Sequence, residues 1–421
     1  MIIPITDGDI MHIYGGFGTG IDYSVRLSLR LIDTVNGEML KEAVQNTQKR
    51  YPYLLLRLKK DEENLYYEEN PEPVTVHNTD GKITLASSES NYHLWAVCYK
   101  DDRLYLDISH GLCDGTGMYM VLSTLLYYYC EARYGVTDHT GVRTLEDPIL
   151  PEESVDPMNY LPDIDISTLP PTTLKPAFSL IEDAGLTPCD PIVYDIIIPE
   201  KYFIPFSSAN DASPGTMISI LFSRTIDELY PEREKSLVNS YIINGRPMLG
   251  APQSHHNCVN TVAFEYSDKV KAMPLEKQCT VHRGATFIQS DADRVKSVMT
   301  VSVNRSRMVK KAAPTVEAKK NAYAQMLYGG KRFFTYMVSY VGQWKLKSLS
   351  PYVTEFWTHV PNANNLLTEI AAINGNIYLS VHQNFREDDI ICKFTEILTR
   401  YKIPYEMKQP MANDNAAIKE P

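Results

Sequence analysis

The sequence predicts two lobes of α/β or α+β class, each of them a mixture of sheet strands and helices. In both halves of the chain, segments that alternate apolar and polar residues are interspersed with segments of helical periodicity, which is the pattern of strands and helices in mixed domains. Nine of the 26 prolines fall within residues 148–191. Because proline fixes φ and lacks an N–H donor, no long helix or central strand is expected there.

These observations divide the 421 residues into four parts. We expect an N-terminal lobe over residues 1–147, a proline-rich crossover over 148–191, a C-terminal lobe over 192–407, and a polar, frayed tail over 408–421. The proline-rich stretch is also consistent with a long surface loop inside one lobe, and the sequence leaves that alternative open.

The N-terminal lobe begins with an alternating strand, YSVRLSLRLI (23–32), and continues with a helix that ends before Pro52. Short strand-like runs follow: YLLLRLKK, NLYYEE, YHLWAVCYK and RLYLDIS. From Met118 the segment YMVLSTLLYYYCEARYG predicts a long helix that stops at Gly135.

The C-terminal lobe begins with the strand IVYDIIIPEKYF (192–203), followed by a helix that Ser213 caps at its start. Later helices are predicted for DADRVKSVMTVSVNRSRMVKKAA and DDIICKFTEILTRY, and a hairpin is predicted about Asn374-Gly375. The remaining strand-like runs are SLVNSYIING, NTVAFEYS and FFTYMVSYVG.

Composition excludes several functional classes. The formal net charge of −11 argues against a nucleic-acid binder, which needs a surplus of Lys and Arg. No apolar run approaches the roughly 18 residues of a membrane helix, and the first residues lack the pattern of a secretory signal. Seven Cys without a CxxC pair favour free thiols in a reducing cytoplasm over a disulfide framework or a zinc site. We therefore expect a cytoplasmic protein with no metal and no nucleic-acid or membrane partner.

The segment LYLDISHGLCDGTG (104–117) is the strongest candidate for chemistry. It predicts a strand that ends at His110, a glycine-containing turn, and then Asp114 before a long helix. An imidazole can accept a proton at neutral pH, and the glycines allow other groups to approach closely. By itself the HxxxDG pattern is equally consistent with a structural histidine.

The order of the neighbouring segments resembles the chloramphenicol acetyltransferase-like superfamily, which includes peptide-synthetase condensation domains and alcohol acetyltransferases. HGLCDG matches the HxxxDG motif of that superfamily, and IDTVNGEMLKEAVQNTQKRYPYLLLRL looks like its first helix and strand. SPGTMISILFSRTIDEL resembles the helix that follows the crossover, YIINGRPMLGAPQSHHNCVNTV the strand-plus-Arg segment, and SYVGQW the Ser-Asn-x-Gly strand.

The resemblance implies two similar lobes, each an α+β two-layer sandwich, with a tunnel between them. It also implies the transfer of an acyl group from a thioester to a hydroxyl or amine acceptor. His110 would then be the general base. Asp114 would be structural, paired with Arg246, and Gly115 would keep the loop tight. Ser339 would donate a hydrogen bond to the tetrahedral oxyanion, a contact worth roughly 2.7–4 kcal/mol.

Departures from the superfamily pattern narrow the resemblance. Ser109 stands where condensation domains have a first His, and Tyr340 stands where Asn is common. Cys258 precedes Val259 and Asn260, where a Gly-Asn pair is usual. The plant-type Asp-Phe-Gly-Trp-Gly motif is absent. These features favour a stand-alone bacterial member of the alcohol acetyltransferase branch, which we expect to be a monomer.

Residues 294–347 carry twelve Lys or Arg and one acid, Glu317. This basic segment suits a phosphorylated donor, either acyl-CoA or an acyl-phosphopantetheine carrier protein, as the co-substrate. Lys310 and Lys311 are the predicted centre of donor binding. A solvated basic helix face explains the same charges, and the sequence does not decide between the two.

Four other patterns have ordinary structural interpretations. GGFGTG (15–20) precedes a strand rather than a helix, so it offers no helix N-terminus to a phosphate. Cys113 could act as a nucleophile beside His110, but packing under the loop is favoured. The adjacent His255 and His256 lack a third metal ligand in sequence, and His382 in a strand is typical of a structural histidine.

Three hypotheses follow for the function. The first is an acyl-CoA-dependent O- or N-acyltransferase that acts on a small-molecule acceptor. The second is the same chemistry with a carrier-protein donor, in a polyketide, peptide or glycolipid pathway. The third is a non-catalytic relative that binds a ligand or partner in the former tunnel.

Overall fold

The computed structural model describes residues 2–16, 24–169, 175–344, 346–360 and 365–412. The elements of the N-terminal part are β1 (Ile3–Pro4), α1 (Ile10–Gly16), β2 (Ser24–Leu31), α2 (Gly37–Arg50), β3 (Leu56–Lys60), β4 (Leu65–Glu69), β5 (Val76–Asn78), β6 (Trp95–Lys100), β7 (Arg103–Ser109) and α3 (Gly115–Tyr134).

The elements of the C-terminal part are β8 (Pro188–Pro199), α4 (Glu200–Ala209), α5 (Pro214–Leu229), β9 (Leu237–Asn244), α6 (Arg246–Leu249), β10 (Val259–Tyr266), α7 (Asp268–Lys271), α8 (Leu275–Gln289), α9 (Ala292–Ala312), α10 (Val316–Lys331), β11 (Tyr336–Gln343), β12 (Val353–His359), β13 (Leu366–Ile373), β14 (Asn376–Phe385), α11 (Asp389–Arg400), β15 (Glu406–Met407) and β16 (Met411–Ala412).

The N-terminal lobe is built on a sheet of strand order β12-β2-β7-β6-β5 and a small sheet of order β1-β4-β3. Strands β2 and β7 are antiparallel, and the register pairs Ser24 with Ser109. The end of β7 therefore lies beside the start of β2. Helices α2 and α3 pack against one another, and their apolar faces complete the core.

The C-terminal lobe is built on a larger sheet of order β10-β9-β11-β13-β14-β8-β15, with β16 also paired to β8. Strand β11 lies parallel to both β9 and β13. The predicted hairpin joins β13 to β14, and its two turn residues, Asn374 and Gly375, have φ values of 52° and 76°. Those positive values are the ones that an Asn-Gly turn accommodates.

The C-terminal half of the chain contributes one strand to the N-terminal sheet. β12 lies in the C-terminal half of the sequence, but it pairs antiparallel with β2 at the edge of the N-terminal sheet. Phe356 of β12 and Trp344, which directly follows β11, are accordingly part of the N-terminal core. This arrangement places the end of β11 close to the end of β7, where the predicted site lies.

Before β8 begins at Pro188, the elements in the described residues of the crossover are short 3-10 turns, as its prolines predict. It is anchored on the N-terminal lobe by Glu153, which accepts two hydrogen bonds of 2.9 Å from Arg50 of α2. Burial alone would raise the pKa of Glu153, but the hydrogen bonds from Arg50 and Tyr53 lower it to about 2. This buried ion pair ties the start of the crossover to helix α2.

Several boundaries differ from the expected ones. Strand β8 begins at Pro188, inside the predicted crossover, and ends at Pro199, where α4 takes over instead of more strand. Met411 and Ala412 of the expected tail pair with β8, while residues 413–421 lie outside the described residues. Helices α1, α8 and α10 are additions to the predicted elements.

None of the helices in the described ranges is long and apolar enough to cross a membrane. The same ranges contain no group of three His, Cys, Asp or Glu side chains arranged to hold a metal ion.

Candidate active site

His110 is the first residue after the buried strand β7, and its side chain is half-buried. Its carbonyl oxygen accepts a hydrogen bond of 2.7 Å from the Asn257 side chain. The carbonyl of the next residue, Gly111, accepts a bond of 3.0 Å from the Tyr67 hydroxyl. The main chain that carries His110 is therefore held from both the N-terminal small sheet and the C-terminal lobe.

Asp114 begins helix α3. Its Oδ1 accepts hydrogen bonds from the backbone N–H groups of Thr116 at 3.1 Å and Gly117 at 3.2 Å, which is the geometry of a helix N-cap. Gly115 follows, and a Cβ there would lie 2.7 Å from Cγ2 of Val341. The glycine thus allows strand β11 to approach the turn that carries His110.

Arg246 lies against Asp114. Its Nη1 and Nη2 donate to the two carboxylate oxygens of Asp114, each at 2.7 Å, and both side chains are 1% exposed. Its Nε also donates to the Ser254 carbonyl at 2.7 Å. Burial would lower the pKa of Arg246, but Asp114 raises it above its ordinary value, so the guanidinium stays charged.

This ion pair joins the two lobes beside His110. Asp114 belongs to the N-terminal lobe, whereas Arg246 begins α6 of the C-terminal lobe. The second carboxylate oxygen of Asp114 also accepts the backbone N–H of Cys258 at 3.0 Å. Every strong hydrogen-bonding direction of the carboxylate is used by the protein, so its geometry suits positioning rather than proton transfer.

A cavity of about 720 Å³ lies between the lobes, with His110 on its wall. Val25 and Met118 line it from the N-terminal lobe, and Ile242 and Leu367 line it from the C-terminal lobe. An apolar interior with a few polar groups is the usual form of a small-molecule site. His110 is therefore accessible to a ligand in this cavity.

His12, a residue that the sequence did not single out, stacks on His110. The two imidazole rings have centroids 4.4 Å apart and planes that differ by 3°. Burial lowers the pKa of His12 to about 3, with a further decrease from His110 and an opposing increase from Asp9. His12 therefore presents a neutral ring to the candidate base. No sequence pattern in the unpredicted helix α1 signals this contact.

Ser339 also lines the cavity, on strand β11. In the parallel register it lies beside Glu369 of β13, and the two side chains are hydrogen-bonded. Burial raises the pKa of Glu369 to about 7, although the Ser339 hydrogen bond lowers it. Glu369 is another residue that the sequence reasoning missed. Its one signal is that it is the single charged residue in the largely apolar run LLTEIAAI.

The basic segment reaches the cavity through other side chains than the predicted ones. Arg305 of α9 and Lys331 and Arg332 at the end of α10 line the cavity, whereas Lys310 and Lys311 do not. Burial lowers the pKa of Lys310, and Lys311 is exposed on the outer part of α9. Which Lys and Arg side chains line the cavity depends on which face of each helix is turned toward it. A count of charges along the sequence does not reveal that face.

The weaker sequence candidates have protein partners or burial that account for them. Cys113 is buried, and burial raises the pKa of its thiol well above the ordinary value, so it is not a thiolate at neutral pH. His255 packs against Tyr53, and His256 pairs with Asp9.

Two further candidates are accounted for in part. His382 is buried, and burial lowers its pKa to about 3. Of the glycine-rich run 15–20, Gly15 and Gly16 end α1 and residues 17–20 lie outside the described residues.

Neither family models nor curated proteins match this sequence. Solved structures do match it over nearly the whole chain. Polyketide synthase associated protein 5 from Mycobacterium tuberculosis superimposes with a TM-score of 0.62 at 11% identity, covering 94% of this chain and 96% of that one.

Two further structures agree. TRI101 of F. graminearum, complexed with coenzyme A and T-2 mycotoxin, has a TM-score of 0.65 at 10% identity over 97% of this chain and 99% of its own. The first condensation domain of the CDA synthetase has a TM-score of 0.61 at 12% identity over 95% of this chain and 94% of its own. This chain has the chloramphenicol acetyltransferase-like fold.

The predicted fold class and the predicted resemblance are confirmed by these matches. At identities of this size the similarity establishes the fold alone. Because the fold alone does not determine the function, the function must be argued from the residues of the site. Here those residues are His110, His12, the Asp114–Arg246 pair and the Ser339–Glu369 pair.

Proposed function

We propose that the protein is an acyltransferase that moves an acyl group from acyl-CoA to a hydroxyl or amine acceptor, with His110 as the general base. The observation that carries this proposal is the position of His110, which lies on the wall of an inter-lobe cavity while its main chain is fixed on both sides. A base needs access to its substrate and a fixed position, and His110 has both.

The proposed step is a direct transfer. A ring nitrogen of His110 accepts the proton of the acceptor O–H or N–H as the acceptor oxygen or nitrogen attacks the thioester carbonyl. The new C–O or C–N bond gives a tetrahedral oxyanion. As the oxyanion collapses, the C–S bond breaks, and the departing thiolate takes the proton from the imidazolium. No acyl-enzyme forms, and His110 returns to its starting state.

The neighbouring residues support this role for His110. The neutral ring of His12 stacks on the imidazole and fixes its plane without adding a charge. The ion pair between Asp114 and Arg246 holds the turn that carries His110. Gly115 lets strand β11 approach that turn. Ser339 on that strand is our candidate donor to the oxyanion, since it lines the same cavity as His110.

Acyl-CoA is the proposed donor because the phosphates of its coenzyme A part complement the cations at the cavity. Arg305, Lys331 and Arg332 line one part of the cavity wall. A structural neighbour, TRI101, is complexed with coenzyme A and T-2 mycotoxin, so one protein of this fold holds coenzyme A together with a small molecule. The tunnel that the resemblance implies would let donor and acceptor reach His110 from different sides.

A carrier-protein donor is the second candidate. Other neighbours are condensation domains, including that of the CDA synthetase and one that mediates chain release from the enacyloxin polyketide synthase. A phosphopantetheine arm would place the same thioester at His110. Binding of an acylated carrier protein without turnover of free acyl-CoA would support this candidate over the first.

The experiment that tests the proposal is thiol release by the purified protein, followed with a thiol reagent over a panel of acyl-CoA donors and of alcohol and amine acceptors. We expect release that depends on the acceptor and a product that carries the acyl group, identified by mass spectrometry. Thiol release that no acceptor accelerates, with either CoA or carrier-bound donors, would contradict an acyltransferase function.

A further inference from the structure

Glu369 is a buried acid on the wall of the proposed active-site cavity. It is 8% exposed, and it lines the same cavity as His110. Along β13 its neighbours on the same face are Leu367 and Ala371, which belong to the core of the N-terminal lobe. The carboxyl group therefore points from the C-terminal sheet toward the space between the lobes.

No protein cation compensates this carboxyl group among the described residues. The side chains that face it are Ser339 of β11, Ser380 of β14, which is opposite Glu369 in the register, and Tyr119 of α3. His110, Tyr340 and Thr358 line the same cavity. His382 lies two residues from Ser380 on the same face of β14, and it brings no charge because burial lowers its pKa to about 3. A buried carboxylate with one hydroxyl for a partner is costly, because burial removes its hydration without supplying an opposite charge.

The contrast with Asp114 strengthens this point. Asp114 is the other acid on the cavity wall, and Arg246 neutralises it through two bonds of 2.7 Å. Arg305 and Arg332 contribute positive charge elsewhere on the wall, but the pKa of Glu369 is raised to about 7 by burial, and the Ser339 hydroxyl is what lowers it. The wall thus carries cations in one part and an uncompensated acid in another.

We propose that Glu369 binds a protonated amino group of the acceptor, so that the acceptor carries an ammonium in addition to the hydroxyl or amine that His110 deprotonates. An amino alcohol or a diamine has this form. The ammonium supplies the opposite charge that the protein does not, and its N–H groups donate hydrogen bonds to the carboxylate oxygens of Glu369. The nucleophile must be a second group, because an ammonium held at Glu369 has no lone pair with which to attack.

This inference rests on the proposed function only in calling the ligand an acceptor, and its test is a binding measurement without any donor. The probes are 6-aminohexan-1-ol and hexane-1,6-diol, which match in length and differ in charge. Calorimetric titration of the wild-type protein should show binding of the amino alcohol about tenfold or more tighter than the diol, which is the effect of one charge-assisted hydrogen bond.

The variant Glu369→Gln keeps the shape of the side chain and removes its charge. It should bind both probes equally, while Glu200→Gln, at a carboxyl whose pKa burial also raises but which lies outside the cavity, should discriminate as the wild type does. Circular dichroism and the melting temperature verify that both variants fold. Should Glu369→Gln fail to fold, the wild-type comparison and the proton count below still decide the matter.

Proton release supplies the independent reading. Titrations at pH 7 in two buffers of different ionisation enthalpy should show about half a proton released for each amino alcohol bound, since the ammonium drives ionisation of an acid whose pKa is near 7. Equal affinity for the two probes, including no measurable binding of either, or discrimination that survives in Glu369→Gln, would overturn the inference. His110→Ala should lose acyl transfer yet keep the discrimination, which separates a failure of the inference from a failure of the proposed function.

Discussion

The imidazole ring of His12 lies parallel to that of His110, with a centroid separation of 4.4 Å and an angle of 3° between planes. His12 comes from α1 at the start of the chain, and His110 follows β7. Because burial lowers the pKa of His12 to about 3, this ring is neutral at pH values near 7. A neutral flat ring limits the rotation of the candidate base without competing for its proton.

Replacement of His12 tests this positioning role. His12→Ala should lower kcat by about tenfold to a hundredfold, since a displacement of about 1 Å near the reacting group costs on that order. His12→Phe retains a flat ring and should keep most of the activity. Because His12 itself does not titrate near neutrality, the pH profile of His12→Phe should match that of the wild type. Equal losses in the two variants would show that stacking is not what matters.

The Asp114–Arg246 pair should be a large contributor to stability. Asp114→Asn leaves a buried guanidinium without its counter-charge, and loss of one partner of a buried pair costs about 3–5 kcal/mol. The measurement is the free energy of unfolding in urea. A matched control is the pair Arg400–Glu228, also held by two bonds, of 2.7 and 2.9 Å, but with side chains 46% and 31% exposed. Glu228→Gln should cost less than about 1 kcal/mol, and similar costs for both variants would contradict the assignment.

His256 should make stability depend on alkaline pH. Burial would lower its pKa, but Asp9, whose Oδ2 lies 2.6 Å from Nδ1, and then Asp156 raise it from 6.5 to about 9. A raised pKa gives stability that is fully present below about pH 6.5 and lost as the pH rises through about 9, by up to about 3 kcal/mol. Urea unfolding between pH 6 and 10 should show this loss in the wild type and a flatter curve in His256→Gln. Parallel curves would contradict the prediction.

The cations at the cavity should govern donor binding. Arg305 and Lys311 are both exposed on α9, but Arg305 lines the cavity and Lys311 does not. Arg305→Glu should raise KM for acyl-CoA by about tenfold at low salt and less at high salt, since screening weakens the attraction to the phosphates. Lys311→Glu is the control and should change KM by less than about twofold. The opposite order would restore Lys311 as the centre of donor binding.

Local patterns in the sequence predicted what local forces decide. The strand before His110, the Ser213 cap of α5 and the turn at Asn374-Gly375 each follow from residues within a few positions of one another. The pairing candidate Arg246 for Asp114 came from the resemblance, because no local rule joins residues that lie in different lobes.

Contacts across the fold were beyond the sequence. His12 meets His110 only because α1 packs under the turn, and Glu369 meets Ser339 only because β11 and β13 are parallel in one register. The choice of Arg305 over Lys311 likewise depends on which face of α9 is turned to the cavity. Packing and register fix these three relationships, and a single sequence contains no pattern for them.

The most direct test of the account is the rate of acyl transfer by His110→Ala. The variant should fold with the melting temperature of the wild type, since the turn is held by backbone contacts and by Asp114. With an acceptor found in the thiol-release assay, its kcat/KM should fall by about 10²–10⁴-fold, the contribution of a general base. A folded His110→Ala protein that transfers acyl groups at the wild-type rate would contradict the account.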